Sequence, residues 1–217
     1  MKFRIDSLFE TKFIKLFDIR YAEGKHYFSA TRRNKEALVA NMDDDAFKAM
    51  LPDAVSCCVI LRREGEEDRL LLTEEYRYPV GQFLLSVPAG LIDPEDRALP
   101  RTEAVFATAK REVEEETGLS FREGDGISLI SPCLFSSPGM TDESNAMVKL
   151  ILHEPDLSAL SSEGAVGSEQ FSGYRLLTRD EARQILEAGA DSDGRSFSVY
   201  TWIGIRAFLD EQGKEKR

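Results

Sequence analysis

The stretch Glu103-Ala104-Val105-Phe106-Ala107-Thr108-Ala109-Lys110-Arg111-Glu112-Val113-Glu114-Glu115-Glu116-Thr117-Gly118-Leu119 decides how this chain is read. Residues 102–117 contain no Gly or Pro and are rich in Ala and Glu, which predicts a helix. Thr102 is placed to N-cap it after Pro100, Glu103 falls in the first turn, and Gly118 is the expected stop. Val105, Ala109 and Val113 recur every four residues as a narrow apolar stripe. Four glutamates then occupy the five positions 112–116, at the helix C-terminus. That end carries partial negative charge and prefers cations, and like charges one turn apart repel. Glu114 has Lys110 four residues back and Glu115 has Arg111, surface pairs worth ~0.2–0.5 kcal/mol each. Glu112 and Glu116 have no such partner. With Glu115 they form an i, i+3, i+4 cluster of the kind hard divalent cations favour. A solvated acidic helix face explains the same residues, and from the cluster alone the two readings stand level.

The stretch resembles the signature of the Nudix hydrolases. That signature runs Gly, five residues, Glu, seven residues, Arg-Glu, an aliphatic, any residue, Glu-Glu, any residue, Gly, an aliphatic. Every fixed position from Glu103 to Leu119 matches. One departure precedes them: twelve residues, not five, separate Gly90 from Glu103, although Asp96 keeps the usual spacing from Gly90. An insertion in residues 94–101, before the helix, accounts for this. The resemblance implies an α/β (α+β) fold, an α/β/α sandwich with a mixed sheet. It implies that Glu112, Glu115 and Glu116 hold Mg2+, or Mn2+ in its place, while water attacks a diphosphate. Glu103 and Arg111 are then expected as a structural pair, and Gly118 as a turn residue.

Three further segments look like one branch, the ADP-ribose pyrophosphatases and related nucleoside-diphosphate-sugar hydrolases. Glu75-Tyr76-Arg77-Tyr78-Pro79 resembles a strand whose arginine, here Arg77, approaches substrate; its plainer reading is an ion pair with Glu74 or Glu75. Val87-Pro88-Ala89-Gly90-Leu91-Ile92-Asp93 resembles a segment in which the carbonyl of Ala89 would be a metal ligand and Gly90 and Leu91 would meet substrate. Ser137-Pro138-Gly139-Met140-Thr141-Asp142-Glu143 resembles a substrate loop, implicating Ser137, Pro138, Gly139 and Glu143. The branch takes a general base from a late loop. Glu169 fits that role best here, with Glu163 as the fallback; each is otherwise a loop charge. The implied reaction is Mg2+-dependent hydrolysis of ADP-ribose to AMP and ribose 5-phosphate. Another nucleoside-diphosphate sugar is the rival substrate, and a non-catalytic ADP-ribose or nucleotide sensor is the rival class. Isopentenyl diphosphate isomerase shares the fold, but its cysteine and glutamate have no counterpart that can be placed here.

Composition sets the bounds. The 217 residues are 42% hydrophobic and 31% charged, those of an ordinary globular chain with room for a sizeable core. A net charge of −11 argues against a nucleic-acid partner. Cys57, Cys58 and Cys133 are neither paired nor spaced for zinc, which suits a reducing cytoplasm. The opening residues do not read as a signal peptide, and no apolar run approaches the ~20 residues of a membrane span. The expected partners are a small nucleoside diphosphate and a second copy of the chain as a homodimer.

Along the chain, residues 12–20 and 25–32 predict a hairpin about Glu23-Gly24. Residues 36–40 predict a short strand and 43–51 a short helix. Core strands are expected at 55–61, 69–77 and 83–87, with more at 127–134, 146–153 and 173–177. Residues 158–172 read as a loop, Thr178-Arg179-Asp180-Glu181 as a capping box starting a helix, and 196–211 as a closing helix. Residues 212–217 are expected to fray. Two regions follow: 1–50, a small antiparallel β-sheet carrying Phe13, Phe17, Tyr21, Tyr27 and Phe28, expected to build the dimer; and 51–212, the hydrolase domain.

Overall fold

Two adjacent cysteines show how the larger part of the chain layers. Successive side chains of a strand point to opposite faces. In the computed structural model, which describes residues 3–164 and 169–211, Cys57 Sγ lies 3.8 Å from the carbonyl of Ala109 and Cys58 Sγ lies 3.3 Å from the carbonyl of Gly204. Ala109 and Gly204 belong to different helices. One helix therefore covers each face of the strand between them, which gives the expected α/β/α layering. It also explains why that strand is an unbroken buried run rather than an alternating one.

The strands are β1 (Arg4–Glu10), β2 (Lys15–Ala22), β3 (Lys25–Thr31), β4 (Ala54–Arg62), β5 (Arg69–Arg77), β6 (Gln82–Ser86), β7 (Ala89–Leu91), β8 (Gly126–Phe135), β9 (Ser144–His153) and β10 (Phe171–Leu177). The helices are α1 (Asp44–Ala49), α2 (Arg101–Thr117), α3 (Arg179–Ala188) and α4 (Val199–Asp210). The large sheet runs β10-β5-β4-β9-β8, with β6 joined to β5 and β7 to β4. Strands β4 and β5 are antiparallel. At the two ends of the β4/β9 pair, Asp53 N–H donates to the carbonyl of Ser144 and Glu154 N–H to that of Arg62, so these strands run the same way and the sheet is mixed. Helix α3 starts on the predicted capping box, with Thr178 and Glu181 bonded reciprocally.

The chain divides into two units. One comprises Met1–Asp53 with Cys133–Asn145, the other Ala54–Pro132 with Ala146–Arg217. In the first, β1-β2-β3 form an antiparallel meander over a core of Ile5, Phe17 and Leu38. Residues 133–145 join it through specific bonds. Tyr27 Oη donates to the carbonyl of Gly139 at 2.9 Å, and Arg33 and Ser144 both bond the buried carboxylate of Asp53.

Three expectations change. Residues 36–40 are not a strand but lie in two 3-10 turns, Lys35–Ala37 and Val39–Asn41. Asn41 Nδ2 closes them onto the carbonyl of Lys35, and Leu38 between them drops into the small core. Strand β1 was not foreseen, because Ile5 alone of its residues is buried and the pattern is weak. Helix α2 begins at Arg101, with Pro100 rather than Thr102 at the cap position; Pro100 offers no side-chain acceptor, and the first helical bond is Ala104 N–H to its carbonyl. Of the predicted late loop, residues 165–168 lie outside the described residues, as do 212–217. Among the described residues no helix is long and apolar enough to cross a membrane.

Candidate active site

The site is made where the large sheet splits. The start of β5, Arg69 to Leu71, pairs with β4, whereas Thr73 to Arg77 pairs with β6. The start of β4 pairs instead with the short β7, Ser56 opposite Ala89 and Val55 opposite Gly90. The C-terminal half of α2 lies against β7. Ala89 N–H points to Glu116 Oε1 at 3.4 Å. A Cβ on Gly90 would stand 2.0–2.2 Å from the Glu112 carboxyl atoms. Only glycine at that position leaves the Glu112 carboxylate where it is.

Glu112 and Glu116 are both buried, at 6% and 3% exposed. They sit on the same side of α2 as Val105, Ala109 and Val113, all in the core. A charged acid in such surroundings is costly. Burial pushes the Glu112 carboxyl up to about 7; Arg111 opposes the rise, and the charges of Glu115 and Glu169 add to it. Burial likewise holds Glu116 well above the usual carboxylate range, reinforced by the charges of Glu75, Glu112 and Glu169. Glu116 Oε2 is buried and has no hydrogen-bond partner. The donor set is all oxygen and includes one buried carboxylate oxygen without a partner, which fits a hard divalent cation.

Arg111 partly answers this charge. Its guanidinium meets Glu112 at 2.8 Å, Glu115 at 3.0 Å and Asp93 at 3.2 Å, and donates to the carbonyl of Leu91 at 3.1 Å. The predicted Arg111–Glu115 pair is present, but Glu112 is not without a cation as expected. The loop acid beside Arg111 is Asp93, not Glu103, which is exposed two turns upstream; eight residues of helix separate them by ~12 Å. Glu114 accepts from Ser120, and Lys110 lies over the Phe121 ring at 4.3 Å, so these two leave the predicted pairing. Asp96, in the inserted stretch, accepts from Thr108 Oγ1 at 3.1 Å and ties that stretch to α2. Among the described residues no three acidic, histidine or cysteine side chains already converge as a metal-ligand cluster.

The late loop is bonded to the end of α2. Ser161 N–H donates to the carbonyl of Thr117 at 3.1 Å, and Tyr174 Oη donates to that of Glu116 at 3.0 Å. A Cβ on Gly164 would be 2.6 Å from the carbonyl oxygen of Glu115. Terminal carbonyls that a helix cannot satisfy itself thus receive partners from this loop. Glu163 is exposed. Glu169 is half-buried, and its charge is felt at Glu75, Glu112 and Glu116. Arg77, at the end of β5, meets Glu75 at 2.5 Å, the plainer of its two readings. Leu91 is exposed beside Gly90. Ser137, Pro138, Gly139 and Glu143 belong to the smaller unit, where Glu143 pairs with Arg32 at 2.9 Å and lines a recess with Phe13, Ile14 and Thr141.

Comparison with known proteins gives the family. The NUDIX domain model matches residues 50–198, so the chain belongs to that family. An ADP-sugar pyrophosphatase of Mus musculus is 28% identical over 141 residues, 65% of this chain and 60% of that protein. An ADP-ribose pyrophosphatase of Bacillus subtilis is 24% identical over 147 residues, 68% of this chain and 71% of that one. The match thus spans less than two thirds of the mouse relative's length. A solved structure described as an ADP compounds hydrolase aligns over 97% of this chain and 94% of its own, with a TM-score of 0.55 at 16% identity, a likeness of fold.

Proposed function

We propose that this protein is a magnesium-dependent diphosphatase that hydrolyses ADP-ribose to AMP and ribose 5-phosphate. The observation that carries this reading is the pair of buried carboxylates Glu112 and Glu116, the second with an oxygen that has no hydrogen-bond partner, set against Ala89 and Gly90 on the family's signature helix. Family membership and the names of the relatives support the substrate.

Glu112, Glu115, Glu116 and the carbonyl of Ala89 would hold the cation, magnesium by preference and manganese as a substitute. The bound ion would neutralise charge on the diphosphate oxygens and make a bound water more acidic. Arg77 would steady a phosphate through its guanidinium. Glu169 would take a proton from the attacking water, with Glu163 in reserve. The water oxygen bonds to one phosphorus, the bridging P–O bond breaks, and the two phosphates leave as monoesters. Substrate contacts are assigned to Gly90 and Leu91 and, on the resemblance, to Ser137, Pro138, Gly139 and Glu143. The smaller unit would serve dimerisation. Three free cysteines, two of them buried, support a cytoplasmic setting.

A second substrate reading, another ADP-linked sugar, is favoured by the name of the mouse relative. A panel of ADP-ribose, ADP-glucose and other nucleoside-diphosphate sugars, assayed by phosphatase-coupled phosphate release with magnesium or chelator, decides between them. ADP-ribose is expected to show the highest kcat/KM, and chelator to abolish turnover. ADP-ribose binding without turnover of any diphosphate would instead make the protein a sensor.

A further inference from the structure

We propose that Glu75 is a fourth carboxylate ligand of the divalent-cation centre, contributed by strand β5. The inference rests on the metal-centre reading above and adds a residue that the signature does not contain.

Alternate residues of β5 share a face, so Thr73, Glu75 and Arg77 point one way and Glu74 the other. Glu74 is accounted for on its own side, where Arg175 meets it at 2.8 Å and Ser172 Oγ donates to it at 2.7 Å. Tyr174 pairs directly with Thr73 across β5 and β10, and its hydroxyl reaches the carbonyl of Glu116 at 3.0 Å. The face of β5 that carries Glu75 is therefore the face turned to the end of α2.

Glu75 is 6% exposed; Arg77, about half exposed, meets it at 2.5 Å, and Ser86 bonds its carboxylate from the neighbouring strand. Glu116 Oε2 is buried, without a hydrogen-bond partner. The strongest of the neighbouring charges acting on Glu116 is that of Glu75. A buried carboxylate with an orphan oxygen, on a helix end faced by a second buried acid, is a costly arrangement in a folded core. A shared cation resolves it. Arg77 then holds the outer side of Glu75 and fixes the direction of its carboxylate.

The competing account is that Glu75 only holds Arg77 for substrate. The test is Mn2+ titration of the full chain without substrate, free ion counted by EPR, for wild type, Glu75→Gln and Glu116→Gln, with melting temperatures in chelator. Glu75→Gln is expected to weaken Mn2+ binding by more than about 100-fold, beyond what losing a residue that only orients a ligand costs, while melting no lower than wild type in chelator, because a like-charge repulsion is gone. Unchanged Mn2+ affinity with a raised KM for ADP-ribose overturns the inference and leaves the metal centre standing. Unchanged affinity in Glu116→Gln as well overturns the metal centre itself. Should Glu75→Gln not fold, Glu75→Asp, which keeps the charge but withdraws it by one methylene, is titrated instead; weakened binding supports the inference and wild-type binding overturns it.

Discussion

Gly90 and Glu112 form a single steric and electrostatic unit, and each predicts something about the other. Gly90→Ala would drive a Cβ into the Glu112 carboxylate, which stands 2.0–2.2 Å from that position. Displacing by about 1 Å a group proposed to hold the metal is expected to cost roughly 100-fold in kcat/KM. The melting temperature in chelator should change little, since the displaced atoms end a flexible side chain. Steady-state kinetics beside a thermal melt checks both. Glu112 also sets a pH dependence. Its folded value of about 7 lies above the ordinary 4.5, so the folded state holds a proton that the unfolded state releases first. Its stabilising contribution is full below ~4.5 and is lost as pH rises through about 7. In chelator, wild type should therefore lose stability between pH 5 and 8 relative to Glu112→Gln, and parallel melting curves would refute this. The signature made these acids legible, but not their burial. Glu75 was hidden for a different reason: in sequence it is one more charge beside Arg77, and only the pairing of Thr73 with Tyr174 shows which way it faces.

At the level of elements, α2 was legible because apolar period, composition and stop signal agree. Gly118 takes φ 73° at its C-cap, as foreseen. What the sequence hid is that the late loop completes this helix end. A Cβ on Gly118 would also sit 2.3 Å from the carbonyl oxygen of Ala159. Gly118→Ala therefore combines a left-handed backbone with a clash against the loop, and is expected to destabilise by at least about 2 kcal/mol. Urea unfolding measures it, and a change below ~0.5 kcal/mol would show that loop and helix are not coupled. The elements missed, β1, β7 and the two 3-10 turns, are short and owe their form to tertiary contacts, such as Leu38 meeting Ile5 and Phe17. Asp93 was passed over for Glu103 because a linear motif does not show which loop acid folds back onto Arg111.

On the scale of the whole molecule, the smaller unit buries Phe17 but leaves Phe9, Phe13, Tyr21 and Phe28 between 54% and 69% exposed. Exposed aromatic residues on a small sheet and the turn beside it are apolar surface that a partner can cover, which fits the proposed homodimer. Light scattering is expected to give twice the 24.4 kDa chain mass, and Phe13→Ser with Phe28→Ser to shift it toward one; a wild-type monomer at micromolar concentration would contradict the assignment. The central claim is that the buried glutamates of α2 organise a cation that hydrolyses ADP-ribose. Its most direct test is chromatography of ADP-ribose incubated with magnesium and either wild type or Glu116→Gln. Wild type should yield AMP and ribose 5-phosphate in equal amounts. The variant should be slower by about 100-fold or more, yet fold at least as stably in chelator. Equal rates of product formation by the two proteins would contradict the account.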